Sequence, residues 1–241
     1  MQNQLKGGLY YLTADIRRTL VIFWSILLGL LLVSFLTNVI FFGTTFITYE
    51  LSFPTYVFAA IIGQITVQRT IPHLIKMGST RLNVFKSIGT YFFGLALFNT
   101  VLANTVHSVT MYLFGSTESG QSSTFSIAAA GEQTRTFNHI ADFFGNVWWS
   151  RMLIDFSISY LLLACGFILG LVFYRFGIIG GFAFLAALVF TFILGMTQGW
   201  LLQFFIDVFQ NISLLFFVQL FLVGIVIYLV SFVLIRRISV S

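Results

Sequence analysis

Six runs of roughly twenty residues in this chain are almost free of charge, and no other feature constrains its fold so tightly. Wound as a helix at about 1.5 Å per residue, most of these runs match the ~30 Å hydrocarbon thickness of a bilayer. Of the 241 residues, 59% are hydrophobic and only 8% charged, and 31 are Phe. A soluble domain of this size has too little polar surface to cover so much apolar side chain. The sequence therefore predicts an all-α integral membrane protein with six transmembrane helices in a single domain, residues 1–241. The first apolar run is too long for a signal peptide, and no small-residue cleavage site follows it. The lone Cys165 lies in an apolar run and excludes an internal disulfide framework.

The predicted spans cover about 19–42, 53–68, 88–114, 148–173, 178–196 and 214–235. Ahead of the first, Leu5, Leu9, Leu12, Ile16 and Leu20 recur at helical spacing, with Lys6, Arg17 and Arg18 off that stripe. The pattern predicts an interfacial helix over 5–18, lying in the headgroup plane before the chain turns into the bilayer. An irregular tail is the alternative, because Gly7 and Gly8 weaken the first turn. The second span is the shortest and contains Gln64; Ser52 is placed to cap it, with Pro54 in its first turn.

Between spans two and three, Arg69–Lys86 is the longest basic break in the chain. Ile71 precedes Pro72, which disfavours continuing one helix through that point. Pro72 then suits the start of a separate short helix and Gly78 its end, while Ser79 is placed to cap the next helix. In the third span Thr100, Asn104, His107, Ser108 and Met111 share one face. That face reads either as hydrogen-bonding glue between helices or as the lining of a pathway.

The external connection 115–147 starts Gly/Ser-rich, then places Phe137, Ile140, Ala141 and Phe144 at the spacing of a short interfacial helix. Trp148 and Trp149 mark a membrane boundary, and Arg151 and Asp155 are four apart, as an outer-edge ion pair would be. Tyr174–Gly177 reads as a tight turn between spans four and five. Gly166/Gly170 and Gly177/Gly181 have the spacing of close helix contacts. Thr197–Ser213 is too polar to span and too apolar to float free, so helices partly inserted in the outer leaflet are expected there. Asn211-Ile-Ser213 also matches a glycosylation sequon, a three-residue pattern of low specificity.

Charge sets the predicted orientation. Six spans put both termini on one side, and ten of the twelve basic residues then lie there, leaving Arg135 and Arg151 opposite. Of the seven acids only Asp15 joins the basic side. The positive-inside rule makes that side cytoplasmic, and it accounts for the net charge of +5 without nucleic acid. No charge falls in the middle third of a span, where insertion costs about 2.5–3.5 kcal/mol, which argues against a proton-coupled carrier. No Gly-rich loop ending in Gly-Lys-Ser/Thr, no metal-spaced cluster and no Ser/His/Asp set is visible, so no enzyme, metal or cofactor is expected in the chain itself.

The order of elements resembles a type-2 ABC transporter permease, the small six-span kind encoded apart from its ATPase in Gram-positive bacteria. The parts are the N-terminal helix with its Leu9–Arg18 stripe, the basic segment between spans two and three, and the apolar segment Thr197–Asn211 before the last span. The nearest local likeness is Leu74-Ile-Lys-Met-Gly-Ser-Thr-Arg-Leu-Asn-Val-Phe85, similar to the Lys/Arg-rich, Gly-Ser/Thr-Arg, Phe-ended segment of such permeases. The resemblance implies a dimer with a second copy or paralogue in a bacterial plasma membrane. It also implies a cytoplasmic ATPase partner carrying ATP and Mg, and export or flipping of a hydrophobic or amphipathic substrate such as an antimicrobial peptide or lipid. By the same resemblance Pro72, His73, Lys76, Met77, Gly78, Ser79 and Arg81 form the ATPase-coupling helix. The external connection is longer than that family leads one to expect. Two other readings fit six spans: a non-transporting immunity or assembly protein, and a substrate-binding subunit for small-molecule uptake. Topological anchoring alone is the other reading of the four basic residues Arg69, Lys76, Arg81 and Lys86.

Overall fold

The computed structural model describes residues 2–40, 51–114, 148–210 and 214–236. Every regular element among them is a helix: α1 (Gln2–Ile40), α2 (Ser52–Lys76), α3 (Arg81–Phe114), α4 (Trp148–Thr197), α5 (Trp200–Gln210) and α6 (Leu214–Arg236). Four are long and apolar enough to cross a membrane, within Lys6–Ser34, Arg81–Thr110, Trp148–Thr197 and Leu214–Arg236. The protein is membrane-embedded by that measure. The connection carrying Glu50, the external segment with Phe137, Ile140, Ala141 and Phe144, and the Asn211–Ser213 sequon lie outside the described residues.

α1 corrects the expectation of a separate interfacial helix over 5–18. The chain does not turn at Arg18; one helix runs unbroken from Gln2 to Ile40. Leu12 and Ile16 are buried in the same core as Ile71, Leu74, Val84 and Ile88, so the leucine stripe packs on protein. An apolar stripe satisfies a neighbouring helix as well as it satisfies lipid, and its sequence is the same in both cases.

α2 corrects two further expectations. It runs through Pro72 to Lys76, so no separate short helix begins there. A proline inside a helix costs about 3 kcal/mol, and fully burying Ile71 and Leu74 on either side recovers about 1.5–3 kcal/mol each. Packing therefore outweighs the local preference. At the other end the cap is Leu51, with no side-chain capping bond; Ser52 is the first helical residue and Pro54 lies in the first turn.

Gly78 does end α2. Its φ of +81° is left-handed backbone, and the Gly78 and Ser79 amides donate to the carbonyls of Ile75 (2.9 Å) and Leu74 (3.1 Å). The cap of α3 is Thr80 rather than Ser79: the Asn83 amide donates to Thr80 Oγ1 at 3.4 Å and the Val84 amide to the Thr80 carbonyl at 3.0 Å.

α4 is the central element and packs most extensively on α2, then on α6. Straight, its 50 residues would reach about 75 Å, but Gly177 (φ 71°, ψ −176°) breaks it. The rings of Phe173 and Phe182, nine residues apart, lie with centroids at 5.7 Å, so the chain bends sharply there. The arm beyond the bend exposes Ile178, Ile179, Phe182, Val189 and Phe190, a surface suited to lipid. After a positive-φ Gly199, α5 folds back so that the Trp200 ring covers Gly195.

The α2–α4 contact is backbone on backbone. A Cβ on Gly63 would lie 2.3 Å from the Leu163 carbonyl oxygen, and one on Gly166 would lie 2.1 Å from that of Ala60. Of the two four-residue glycine spacings, Gly166/Gly170 thus serves a close helix contact, while Gly177 serves the bend. Gly63→Ala and Gly166→Ala are each expected to destabilise the protein by about 3 kcal/mol, the upper end of overpacking costs. Gly94→Ala, with open space around it, should be neutral or better. Thermal unfolding in detergent checks all three.

Candidate functional site

Two polar clusters stand out, one at an end of the bundle and one inside it. The first gathers the expected coupling residues. Arg69, His73 and Lys76 follow one another at helical spacing and are all exposed on the last two turns of α2. Met77 and Gly78 are exposed in the turn, Pro72 and Ser79 are half-buried, and Arg81 is exposed at the start of α3. His73 stacks on Tyr11 of α1 with centroids 4.5 Å apart and planes 16° from parallel. Arg81 donates from Nη1 to the Arg236 carbonyl at the end of α6. Four helix ends are thereby tied together, and positive charge is concentrated on their shared surface.

The second cluster is buried and includes part of the polar face expected on α3. Thr100 and Asn104 are 1% and 2% exposed, whereas His107 is half-buried. Ser108 is exposed and donates to its own helix at the Asn104 carbonyl, 2.8 Å. The face therefore divides, with only its inner half in the bundle. The Asn104 amide nitrogen donates to the Thr100 carbonyl at 3.0 Å and to Asp155 Oδ2 of α4 at 2.9 Å. The Tyr56 hydroxyl of α2 donates to Asp155 Oδ1. Beside them, Trp24 of α1 donates from Nε1 to Asn99 Oδ1 at 3.1 Å. Asp155 is only 6% exposed, so it is a buried acceptor shared by α2 and α3.

α3 and α4 run antiparallel, and their contacts have a regular register. Asn104 meets Asp155 near one end of the seam, and the Phe92 and Phe167 rings meet edge-on at 5.3 Å near the other. Stepping one turn at a time between those pairs brings Thr100 and Ser159, then Ala96 and Leu163, onto facing turns, all buried. Among the described residues Thr100 Oγ1, Ser159 Oγ, Asn104 Oδ1 and Asn99 Nδ2 have no hydrogen-bond partner. An unsatisfied buried polar group costs about 1–3 kcal/mol. Three of these atoms, on Thr100, Ser159 and Asn104, belong to two neighbouring turns of that seam. Thr70 Oγ1, near the other end of α2, is a fifth such atom and lies apart from them.

Sequence reasoning missed Trp24, Tyr56, Asn99 and Ser159, and it did not foresee that Asp155 is buried against α2 and α3. The available signal was Asp155 and Ser159 one turn apart at the head of an apolar run, facing the same way as each other. No protein-family model, curated protein or solved structure matches this chain.

Tyr56→Phe and Asn104→Leu each remove one donor from a buried carboxylate. Each is expected to destabilise the protein by about 1.5–3 kcal/mol, the range for hydrogen bonds to charged groups. Changes below about 0.6 kcal/mol, the average for ordinary hydrogen bonds between membrane helices, would show instead that Asp155 is not held by these partners. Unfolding in mixed micelles measures both.

Proposed function

We propose that the chain is the transmembrane permease subunit of an ABC transporter, working as a dimer in a bacterial plasma membrane. It exports or flips a hydrophobic or amphipathic substrate, a peptide or lipid-like molecule, driven by a separate cytoplasmic ATPase that binds ATP and Mg. The observation that carries this reading is the basic end of the bundle. Arg69, His73, Lys76, Met77 and Arg81 surround the rigid Gly78 turn, and the Arg81–Arg236 and His73–Tyr11 contacts link that turn to α6 and α1. A push on the turn from a docked partner would be passed to three helices together. The coupling element in this reading is the terminal turn of α2, not a detached helix.

Six spans with cytoplasmic termini belong to the same proposal. α4, if it crossed once, would be more than twice as long as the hydrocarbon is thick, and the Gly177 bend divides it into two arms of membrane length. α2, at about 37 Å, is long enough to be the sixth, with Thr55, Thr66 and Thr70 among its buried residues. A groove beside the bend, lined by Val172, Phe176, Gly180, Phe184, Val230 and Leu234, offers only apolar contacts and suits a lipid-like cargo.

A tagged chain purified gently from its native membranes should bring down an ATP-hydrolysing subunit. Lys76→Glu and Arg81→Glu should each reduce that recovery at least tenfold while leaving the amount of inserted chain unchanged. Full recovery with both variants removes the coupling role of this end, and no co-purifying ATPase removes the transporter reading.

A placement test addresses the orientation. Single cysteines introduced at Lys76 and Trp149 in a Cys165→Ala background should be labelled by an impermeant maleimide from opposite faces of sealed membranes, Lys76 from the cytoplasmic one.

A further inference from the structure

We propose that the groove where α4 bends against α6 holds one acyl chain of an anionic phospholipid, with Arg175 binding the phosphate. Such a site rests on the six-span arrangement above, which sets the Gly177 bend at a membrane face, and it needs no ATPase.

The groove has the dimensions of one chain in one leaflet. Ile168, Val172 and Phe176 line it from the first arm of α4, Phe184 from the second arm, and Val230 and Leu234 from α6. Its volume of about 480 Å³ lies within the ~300–1,000 Å³ of small-molecule sites. From Ile168 to Phe176 it follows α4 for about 12 Å, against the ~15 Å hydrocarbon depth of a single leaflet. Phe176 directly precedes the bend, and Leu234 is two residues from the end of α6. One end of the groove then meets the headgroups while the other runs inwards among the lipid chains.

A cation stands at that headgroup end. The Arg175 guanidinium carbon sits over the Phe176 ring, 5.3 Å from its centroid, so a residue that lines the groove also holds the charge at its mouth. Arg175 is exposed, and the Phe176 ring is the partner described for it. No Asp or Glu lies between Asp155 and Asp207. Asp155 is itself about 30 Å back along α4 by helix rise. α2, α3 and α6, which all pack on α4, contain no acid at all. The counter-charge for Arg175 is thus missing from the helix that carries it and from those three neighbours, and a phosphate supplies it. Arginine suits that role because its fork of N–H donors can grip a phosphate through two parallel bonds.

Charge also selects the class of lipid. Arg236 is exposed at the end of α6, and the end of α2 adds Arg69 and Lys76, so this face of the bundle is already cationic. A zwitterionic headgroup would bring one more cation to it, whereas an anionic headgroup brings none.

The full chain, purified in detergent and stripped of lipid, is titrated with phosphatidylglycerol or phosphatidylcholine of identical chains, and the first lipid adduct is followed by native mass spectrometry. The wild type should take up phosphatidylglycerol at least tenfold more tightly. Arg175→Gln should reduce that preference at least fivefold, whereas Arg17→Gln, which removes an exposed charge of α1, should leave it unchanged. Val230→Trp fills the groove and should weaken uptake of both lipids at least tenfold. Size-exclusion profiles verify folding, and if Val230→Trp does not fold, the two arginine variants decide. Equal affinity of the wild type for both lipids overturns the site. So does a preference that survives in folded Arg175→Gln, an equal loss in Arg17→Gln, or undiminished uptake by folded Val230→Trp. A cysteine at Ile178 in a Cys165→Ala background tests the arrangement separately. Labelling by an impermeant maleimide from one face of sealed membranes is expected, and failure from both faces counts against the bend lying at a membrane face, whatever the lipid titration gives.

Discussion

The contact between the backbones of α2 and α4 determines how close every other group can come. Where Gly63 faces Leu163 and Gly166 faces Ala60, no side chain separates the two helices. Helices with ordinary residues at a crossing sit about 8–10 Å apart, and small residues bring them closer. Only at such a separation does Tyr56, two turns from Gly63, reach Asp155 across the interface. The buried carboxylate in turn fixes Asn104, and with it the register of α3 against α4. A packing constraint with no chemistry of its own thereby produces a polar site.

The polar site and the basic end lie towards opposite ends of α3 and are joined by the seam between α3 and α4. Phe92, Ala96, Thr100 and Asn104 form one uninterrupted buried row leading from the Arg81 end towards Asp155. The row packs on other helices at its Arg81 end, where the Tyr228 ring of α6 lies against both Phe92 and Phe167. Such an arrangement favours discrete positions over gradual deformation.

Legibility in the sequence varied with the range of the interactions involved. Gly78 as a helix end was readable because a left-handed residue is a local requirement that glycine meets alone at low cost. The turn of the chain at Gly177 was readable for the same reason. Pro72 misled because its local cost is offset by the burial of Ile71 and Leu74, which depends on helices elsewhere in the chain. The stripe from Leu9 to Leu20 misled because lipid and protein are equally apolar solvents for it. The shift of the α3 cap from Ser79 to Thr80 is a one-residue choice between two hydroxyls of similar capping strength. Of the internal site, Thr100 and Asn104 were visible as polar residues one turn apart. Tyr56 and Ser159 were not, since nothing in their own neighbourhoods marks which helix they will meet.

The sequence by itself determined that the chain is helical and membrane-embedded, that basic residues gather around the α2–α3 connection, and that a helix stops at Gly78. These follow from composition, from periodicity and from the backbone demands of single residues, all of which act within a few turns. Only the tertiary structure decided that α1 and α2 run unbroken, that Asp155 is a buried acceptor, and that polar residues of α3 and α4 are buried on facing turns. Those outcomes depend on which helices touch and at what separation. That is set by small residues whose effect appears only when a second backbone lies against them.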